Sequence, residues 1–190
     1  MPALPDLLVD LTSGDDVRAE AAVPLLVELG DEIVLPLQNL MRSTDADIRW
    51  WATRALASLP SLDPAVLLSS LEDPEPEVRQ CAALGLSSHP SETAIDPLVN
   101  ALRDKDGMTA ELAAKALSTI GSPAVERLLQ ELQSAPLSAR IHAMHALSEI
   151  ADPRSIRIMI AAMSEESAML HHWADVGLEK MGVNMVYFKP

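Results

Sequence analysis

The chain has 190 residues and a formal net charge of −14, from 28 acidic and 14 basic side chains. Such a surface repels phosphate backbones and anionic lipid, which excludes general nucleic-acid binding and attachment to a membrane surface. Apolar residues make up 48% of the chain but aromatics only 3%, so the core is aliphatic and suits helices, since strands select β-branched and aromatic side chains.

In chain order, Leu4, Leu8 and Leu11 fit one apolar stripe, and residues 2–12 read as a lone helix of the type called B below. From there the pattern repeats. Ala22, Ala52, Ala82, Ala113, Ala143 and Ala174 follow one another at 30 or 31 residues. Four positions after each stand Leu26, Leu56, Leu86, Leu117, Leu147 and Leu178, and three further on Leu29, Leu59, His89, Ile120, Ile150 and Met181. The spacing 0, +4, +7 marks one face of a helix, helix A. Gly30, Pro60, Pro90, Gly121, Ala151 and Gly182 then close each unit. A constant period of this size is the signature of stacked repeats, each packing on its neighbours. The alanine column predicts close helix–helix approach.

A second helix, B, follows each break. Its stripe reads Leu37, Leu68, Val99, Leu129 and Ile160, with Leu40, Leu71, Leu102, Leu132 and Met163 three positions on. Ile33, Ile95, Val125 and Ile156 begin it, and Pro36 and Pro97 fall in early turns, where a missing N–H costs least. Turns into helix A, such as STDAD, DPEPE and DKDG, are rich in groups that cap helix N-termini and oppose their positive ends. About 12 helices are expected: a lone B helix, five A–B pairs, and a sixth A helix near Ala168–Met181. The expected organisation is one repeat domain over 1–190, with an N-terminal half-repeat at 2–13, repeats at 14–165, and a C-terminal A helix and tail at 166–190.

Val17-Arg18, Ile48-Arg49 and Val78-Arg79, each after an acidic turn and before small residues, resemble HEAT repeats. The short period is similar to the subclass typified by phycobilisome bilin lyases. The resemblance covers nearly the whole chain and implies an all-α, right-handed α-solenoid of about six HEAT-like repeats with B helices on its concave side. It also implies a structural ladder of turn Asp and Arg residues, carried here onto Asp47/Arg49, Glu77/Arg79 and Arg140. The pattern departs from the family at Thr109-Ala110 and Leu170-His171. No His-Glu dipeptide occurs, so the di-iron hydroxylase branch of HEAT proteins finds no support. The negative charge contradicts the base-repair branch, which uses a basic groove.

Cys81 is the only cysteine, so no intrachain disulfide forms and a reducing compartment fits. The start MPALPDLLVD lacks a basic stretch ahead of its apolar residues, and no apolar run approaches the ~20 residues of a membrane span. A cytoplasmic protein is expected.

Few residues depart from the repeat grammar. Trp50 and Trp51 are adjacent and cannot both face one core. Trp51 aligns with Cys81, Leu112, His142 and Trp173, a packing column, whereas Trp50 aligns with Gln80, Glu111, Ile141 and His172, a more polar one. Trp50 is thus either local packing or a partner contact, tryptophan being enriched at interface hot spots. Gln38, Asn100 and Gln130, with Arg103 a turn later, form a polar B-helix row suited to hydrogen-bonding a peptide. It also reads as a solvated face. Tyr187 and Phe188, beside a methionine-rich C-terminal end, either cover the last repeat or offer an apolar contact. His142, His145 and His172 are weak candidate ligands for a transition metal, with no cysteine to join them, and neither a metal nor a cofactor is expected.

No arrangement of nucleophile and base and no phosphate-binding glycine loop stands out. The reading is therefore a non-enzymatic scaffold that binds another protein or peptide through its concave groove or its C-terminal end. The alternative is a bilin lyase or pigment-handling factor, with a bilin tetrapyrrole as ligand and phycobiliproteins as targets.

Overall fold

The computed structural model describes residues 2–183. Tyr187 and Phe188 lie outside the described residues. Every regular element among them is helical. By packing, the chain divides into Met1–His89 and Pro90–Pro190.

In the first unit, α1 (Leu4–Leu11) is the lone B helix. The A helices α2 (Asp16–Val27), α4 (Ala46–Ala57) and α5 (Pro76–Ser88) alternate with the B helix α3 (Val34–Leu40) and with Pro64–Glu72, a B helix wound entirely as 3₁₀. In the second unit, α7 (Gly107–Ile120), α9 (Leu137–Ile150) and α11 (Ala168–Lys180) are A helices, and α6 (Ile95–Ala101), α8 (Val125–Ser134) and α10 (Ile156–Ala162) are B helices. A single 3₁₀ turn leads into each of α3, α6, α8 and α10. The 12 expected helices are all present.

The turn chemistry explains where helices start. Asp15 accepts hydrogen bonds from the Val17 and Arg18 amides, Asp45 from Asp47, Asp106 from Thr109, and Ser167 from Leu170. Each satisfies a first-turn donor that has no partner within the helix.

The core follows the alanine and leucine columns, whose members from Ala22 to Leu178 are all buried. A further small-residue column lies three positions after every alanine but Ala22, which is followed there by Leu25: Ala55, Gly85, Ala116, Ala146 and Gly177 are all buried. A Cβ built on Gly85 would meet the Ala57 Cβ at 2.7 Å and the Leu67 Cδ1 at 2.8 Å. One on Gly177 would meet the Met159 Cε at 2.6 Å and the Ser148 Cα at 3.1 Å. Helix A therefore carries two small positions one turn apart, and neighbouring backbones come close over both.

Two sequence expectations need correction. The B stripe is displaced by one residue after the first repeat: the fully buried column is Leu37, Leu67, Leu98, Leu128 and Met159, while Leu68, Leu129 and Ile160 are only half-buried; Val99, Leu71, Leu102 and Leu132 are buried as expected. Short B helices that begin in 3₁₀ geometry advance by fewer residues per turn, so a stripe counted at α-helical spacing slips. Val17-Arg18 is likewise out of register. Val17 is 79% exposed whereas Val78 is 1% exposed. Arg18 pairs backward with Asp10 on α1.

At the unit-closing position Gly121 has φ 79° and Ala151 has φ 52°, both left-handed. For Ala151 that conformation costs about 1–2 kcal/mol. Two small substitutions should therefore act with opposite signs. Gly85→Ala should lower unfolding stability by roughly 1–3 kcal/mol through overpacking, and Ala151→Gly should raise it by up to about 1 kcal/mol. Urea denaturation followed by circular dichroism checks both.

Candidate functional site

A concavity lies within the first unit, across the A helices α2, α4 and α5. It encloses about 960 Å³. Val17, Ala21, Ala46, Trp50, Trp51 and Val78 supply its apolar lining, and Asp16, Glu20, Asp47, Glu75 and Glu77 its carboxylates. The sequence builds it by omission. Where the second repeat has Trp51, the first has Ala21, and the missing ring leaves space beside α4. A second cavity of about 290 Å³ shares Asp16, Asp47 and Trp51 with the first and adds Ser13 and Asp45.

Trp51 is buried and Trp50 half-buried. Their rings meet edge to face, with centroids 4.7 Å apart at 81°, the geometry that brings a positive ring edge to a negative face. The Arg54 guanidinium stands over both, 5.3 Å from the Trp50 ring centre and 5.7 Å from that of Trp51. Arg54 Nη2 also donates to Glu20 Oε1 at 2.7 Å. Packing and exposure thus coexist in Trp50: it rests on Trp51 and still lines the groove.

The ladder implied by the resemblance exists, with different acids. Arg49 Nε and Nη2 donate to Asp73 at 2.7 and 2.8 Å, and Nη1 donates to the Ser43 and Thr44 carbonyls at 3.1 and 3.3 Å. Arg140 likewise takes an acid from a later turn, donating to Glu165 at 2.6 Å, but through Nη2 alone. Burial would push the Asp73 carboxyl up, but the Arg49 hydrogen bonds and the Glu75 amide hold it below the usual carboxylate range. The Asp73 bond, opposed by burial, raises Arg49 in turn. Because the arginines take acids from the following turn, Asp47 and Glu77 are not used in the ladder. Among the described residues, Asp16, Asp47, Glu75 and Glu77 make no salt bridge. Asp16, Asp47 and Glu77 stand in first helical turns, where the helix dipole favours each by about 0.3–1 kcal/mol.

Cys81 stands on α5, partly accessible, and burial pushes its thiol up to about 11. As the thiolate is the reactive form, this sulfur is a packing group at neutral pH.

The remaining candidates do not converge on one site. Gln38 is half-buried and falls in the column of Leu68 and Leu129, whereas Asn100 and Gln130 are exposed and align with Asn39 and Ser69. The polar row was drawn across the same one-residue slip as the B stripe. Arg103 donates to Glu131 at 2.6 Å, and Arg127 bridges Glu131 at 3.5 Å and Asp96 at 2.9 Å. Glu131 is only 2% exposed, so Arg103 neutralises a buried carboxylate. His145 stacks on Trp173 with ring centroids 3.9 Å apart, and the His172 ring lies tilted at 4.9 Å from that of Trp173. Burial, opposed by Glu111, pushes His142 and His145 below the usual imidazole range. Among the described residues no three His, Cys, Asp or Glu side chains converge to hold a metal, so His142, His145 and His172 do not form a ligand set. Nor is any described helix long and apolar enough to cross a membrane.

Of the groove's residues the sequence marks Trp50 as a candidate contact, whereas it places Asp47 and Glu77 in the repeat ladder and leaves Asp16, Ala21 and Glu75 unmarked. Asp47 and Glu77 recur at one repeat position, with Val17 in the first repeat. That recurrence is legible in the sequence, where the resemblance assigns both acids to the ladder; in the structure Arg49 takes Asp73 instead of Asp47.

Residues 64–138 match the family model for HEAT repeats. Over 88 residues the chain is 28% identical to the phycobilisome maturation protein of Synechococcus elongatus, a match that takes in 46% of this chain and 42% of that protein. The chain thus spans less than half the length of that relative. Among solved structures it is similar to the complex of CpcE and CpcF of phycocyanin lyase from Nostoc, at 24% identity over 75% of this chain and 96% of that one, with a TM-score of 0.59. It is also similar to an archaeal HEAT-like repeat protein from Thermococcus onnurineus, at 16% identity over 95% and 81%, with a TM-score of 0.67. Residues 64–138 thus resemble HEAT repeats, and the fold of the chain is that of the helical-repeat solenoids.

Two outcomes are expected. Arg49→Met should cost roughly 3–5 kcal/mol, because it strands Asp73 as an uncompensated buried charge. With its carboxyl depressed in the folded state, Asp73 contributes stability at neutral pH that is lost as pH falls through that depressed value. Chemical denaturation from pH 7 downward should therefore show wild type and variant converging only in acid. The Cys81 thiol, for its part, should react with iodoacetamide far more slowly than glutathione at pH 7.5 in native protein and at a similar rate once unfolded, as followed by intact mass.

Proposed function

We propose that the chain is a protein-binding repeat scaffold whose partner docks in the groove across α2, α4 and α5. The observation that carries this reading is Trp50: a large aromatic, fixed against Trp51 and Arg54, that lines a concavity rimmed by carboxylates outside the repeat ladder. Such pre-positioned aromatics act as anchors, since little side-chain freedom remains to be lost on binding. The B-helix alternative is weaker, because Gln38 leaves the polar row and Arg103 is engaged with Glu131. The similar structure, a complex of CpcE and CpcF, supports a protein as partner. A cytoplasmic location, inferred from the lone thiol and the acidic surface, belongs to the same proposal.

A second reading, a bilin lyase or pigment-handling factor, is supported by the names of the phycobilisome maturation protein and of phycocyanin lyase. The α2–α4–α5 groove argues against that ligand at this place. A bilin carries propionate carboxylates, and five acidic side chains line the groove. Like charges brought together in a partly desolvated site repel strongly.

Photo-crosslinking in the native host separates these readings. A photoreactive residue at Ala46 should trap a defined partner protein, and Trp50→Ala should abolish the adduct. Adducts arising from Asn100 or Gln130 in place of Ala46 would move the docking face to the B helices. Incubation with bilin and apo-phycobiliprotein should yield no covalent pigment adduct, and an adduct would establish the second reading.

A further inference from the structure

Resting on the scaffold reading, we infer that the α2–α4–α5 groove takes a cationic segment of the partner, a stretch in which arginine or lysine alternates with large apolar side chains. Three observations lead there. The first is charge. Asp16, Asp47, Glu75 and Glu77 border the groove and make no salt bridge among the described residues. A ligand that brings the opposite charge supplies what the fold leaves out, a neutral one leaves the acids unpaired as water is displaced, and an acidic one meets repulsion.

The second is the lining. Val17, Trp50, Trp51 and Val78 give an apolar surface between the acids. Val17 is 79% exposed at the start of α2, a large aliphatic group held out toward water. An inorganic cation would gain nothing from this surface, and among the described residues no three acidic, His or Cys side chains converge to bind one. An organic cation on an apolar stem gains from both the surface and the acids.

The third is an internal precedent. The tryptophan pair already holds the Arg54 guanidinium within 5.7 Å of both ring centres, with Glu20 completing its salt bridge at 2.7 Å. The site therefore recognises a guanidinium by the combination of ring face and carboxylate that an incoming arginine would use. The smaller cavity continues the pattern. Asp16 and Asp47, shared with the groove, stand there with Asp45 and Ser13 beside Trp51. We assign the apolar side chains of the segment to the larger cavity and a cationic head to the smaller. The length of chain this engages is set by three successive A helices.

The test uses the whole chain and fluorescein-labelled peptides read by fluorescence anisotropy. One peptide alternates arginine with leucine, one alternates glutamate with leucine, and one alternates serine with leucine. The arginine peptide should bind, with affinity that falls as salt rises, and the other two should bind at least roughly tenfold more weakly. Asp47→Asn combined with Glu77→Gln should weaken the arginine peptide by roughly tenfold while leaving the weak serine peptide unchanged. Trp50→Leu should weaken both. Equal binding of all three peptides, or no loss in the charge-neutralised variant, would overturn the inference. The peptide series on unaltered protein decides the charge question even if a variant fails to fold. If no peptide binds while the Ala46 crosslink to a host protein persists, the cationic assignment falls and the scaffold reading stands; if both are absent, both fall.

Discussion

Close approach of neighbouring A helices is the constraint on which the rest depends. It is set by two small residues one turn apart on every A helix after α2, such as Ala52 with Ala55 and Ala82 with Gly85. At Gly85 even a methyl group would sit 2.7 Å from a neighbouring Cβ, so the spacing between repeats cannot relax without loss of packing. That spacing brings the first turns of α2, α4 and α5 near enough for their side chains to border one groove. A larger residue at Ala21, in Trp51's column, would fill it. Function and stacking therefore rest on one geometric condition.

The polar layer obeys the same condition. Arg49 reaches across to Asp73 and also holds the carbonyls of its own preceding turn, so each such arginine ties one turn to the next. The bond from Arg140 Nη2 to Glu165 likewise reaches a later turn in the second unit. The acids that the arginines do not take remain available at the surface. Asp47 and Glu77 are negative because helix N-termini favour it, and they are uncommitted because the ladder uses Asp73.

The A helices were legible because their period is uniform: Ala22 to Ala174 and Leu26 to Leu178 fall where α-helical spacing places them, and all are buried. The B helices were less so. A one-turn 3₁₀ entry, or a wholly 3₁₀ helix at Pro64–Glu72, changes the residues per turn. The stripe and the polar row through Gln38 slipped together for that reason. Trp50 stood out as the residue that broke its column. The groove itself was hidden because it is made by a small residue, Ala21, and by acids whose capping and ladder roles are sufficient to account for them in a linear reading. Which acid completes each ladder rung is likewise a matter of reach in space, and Asp47 lies nearer than Asp73 to Arg49 only in sequence.

The three tryptophans make the central claim directly measurable. Trp50 and Trp51 line the groove, whereas Trp173 lies on α11 against His145. In a two-dimensional ¹H–¹⁵N spectrum each gives a separate indole N–H signal. Titration with the arginine–leucine peptide should move the signals of Trp50 and Trp51 and leave that of Trp173 in place. Movement of Trp173 alone, with Trp50 and Trp51 unchanged at saturation, would contradict the assignment of the groove as the docking site.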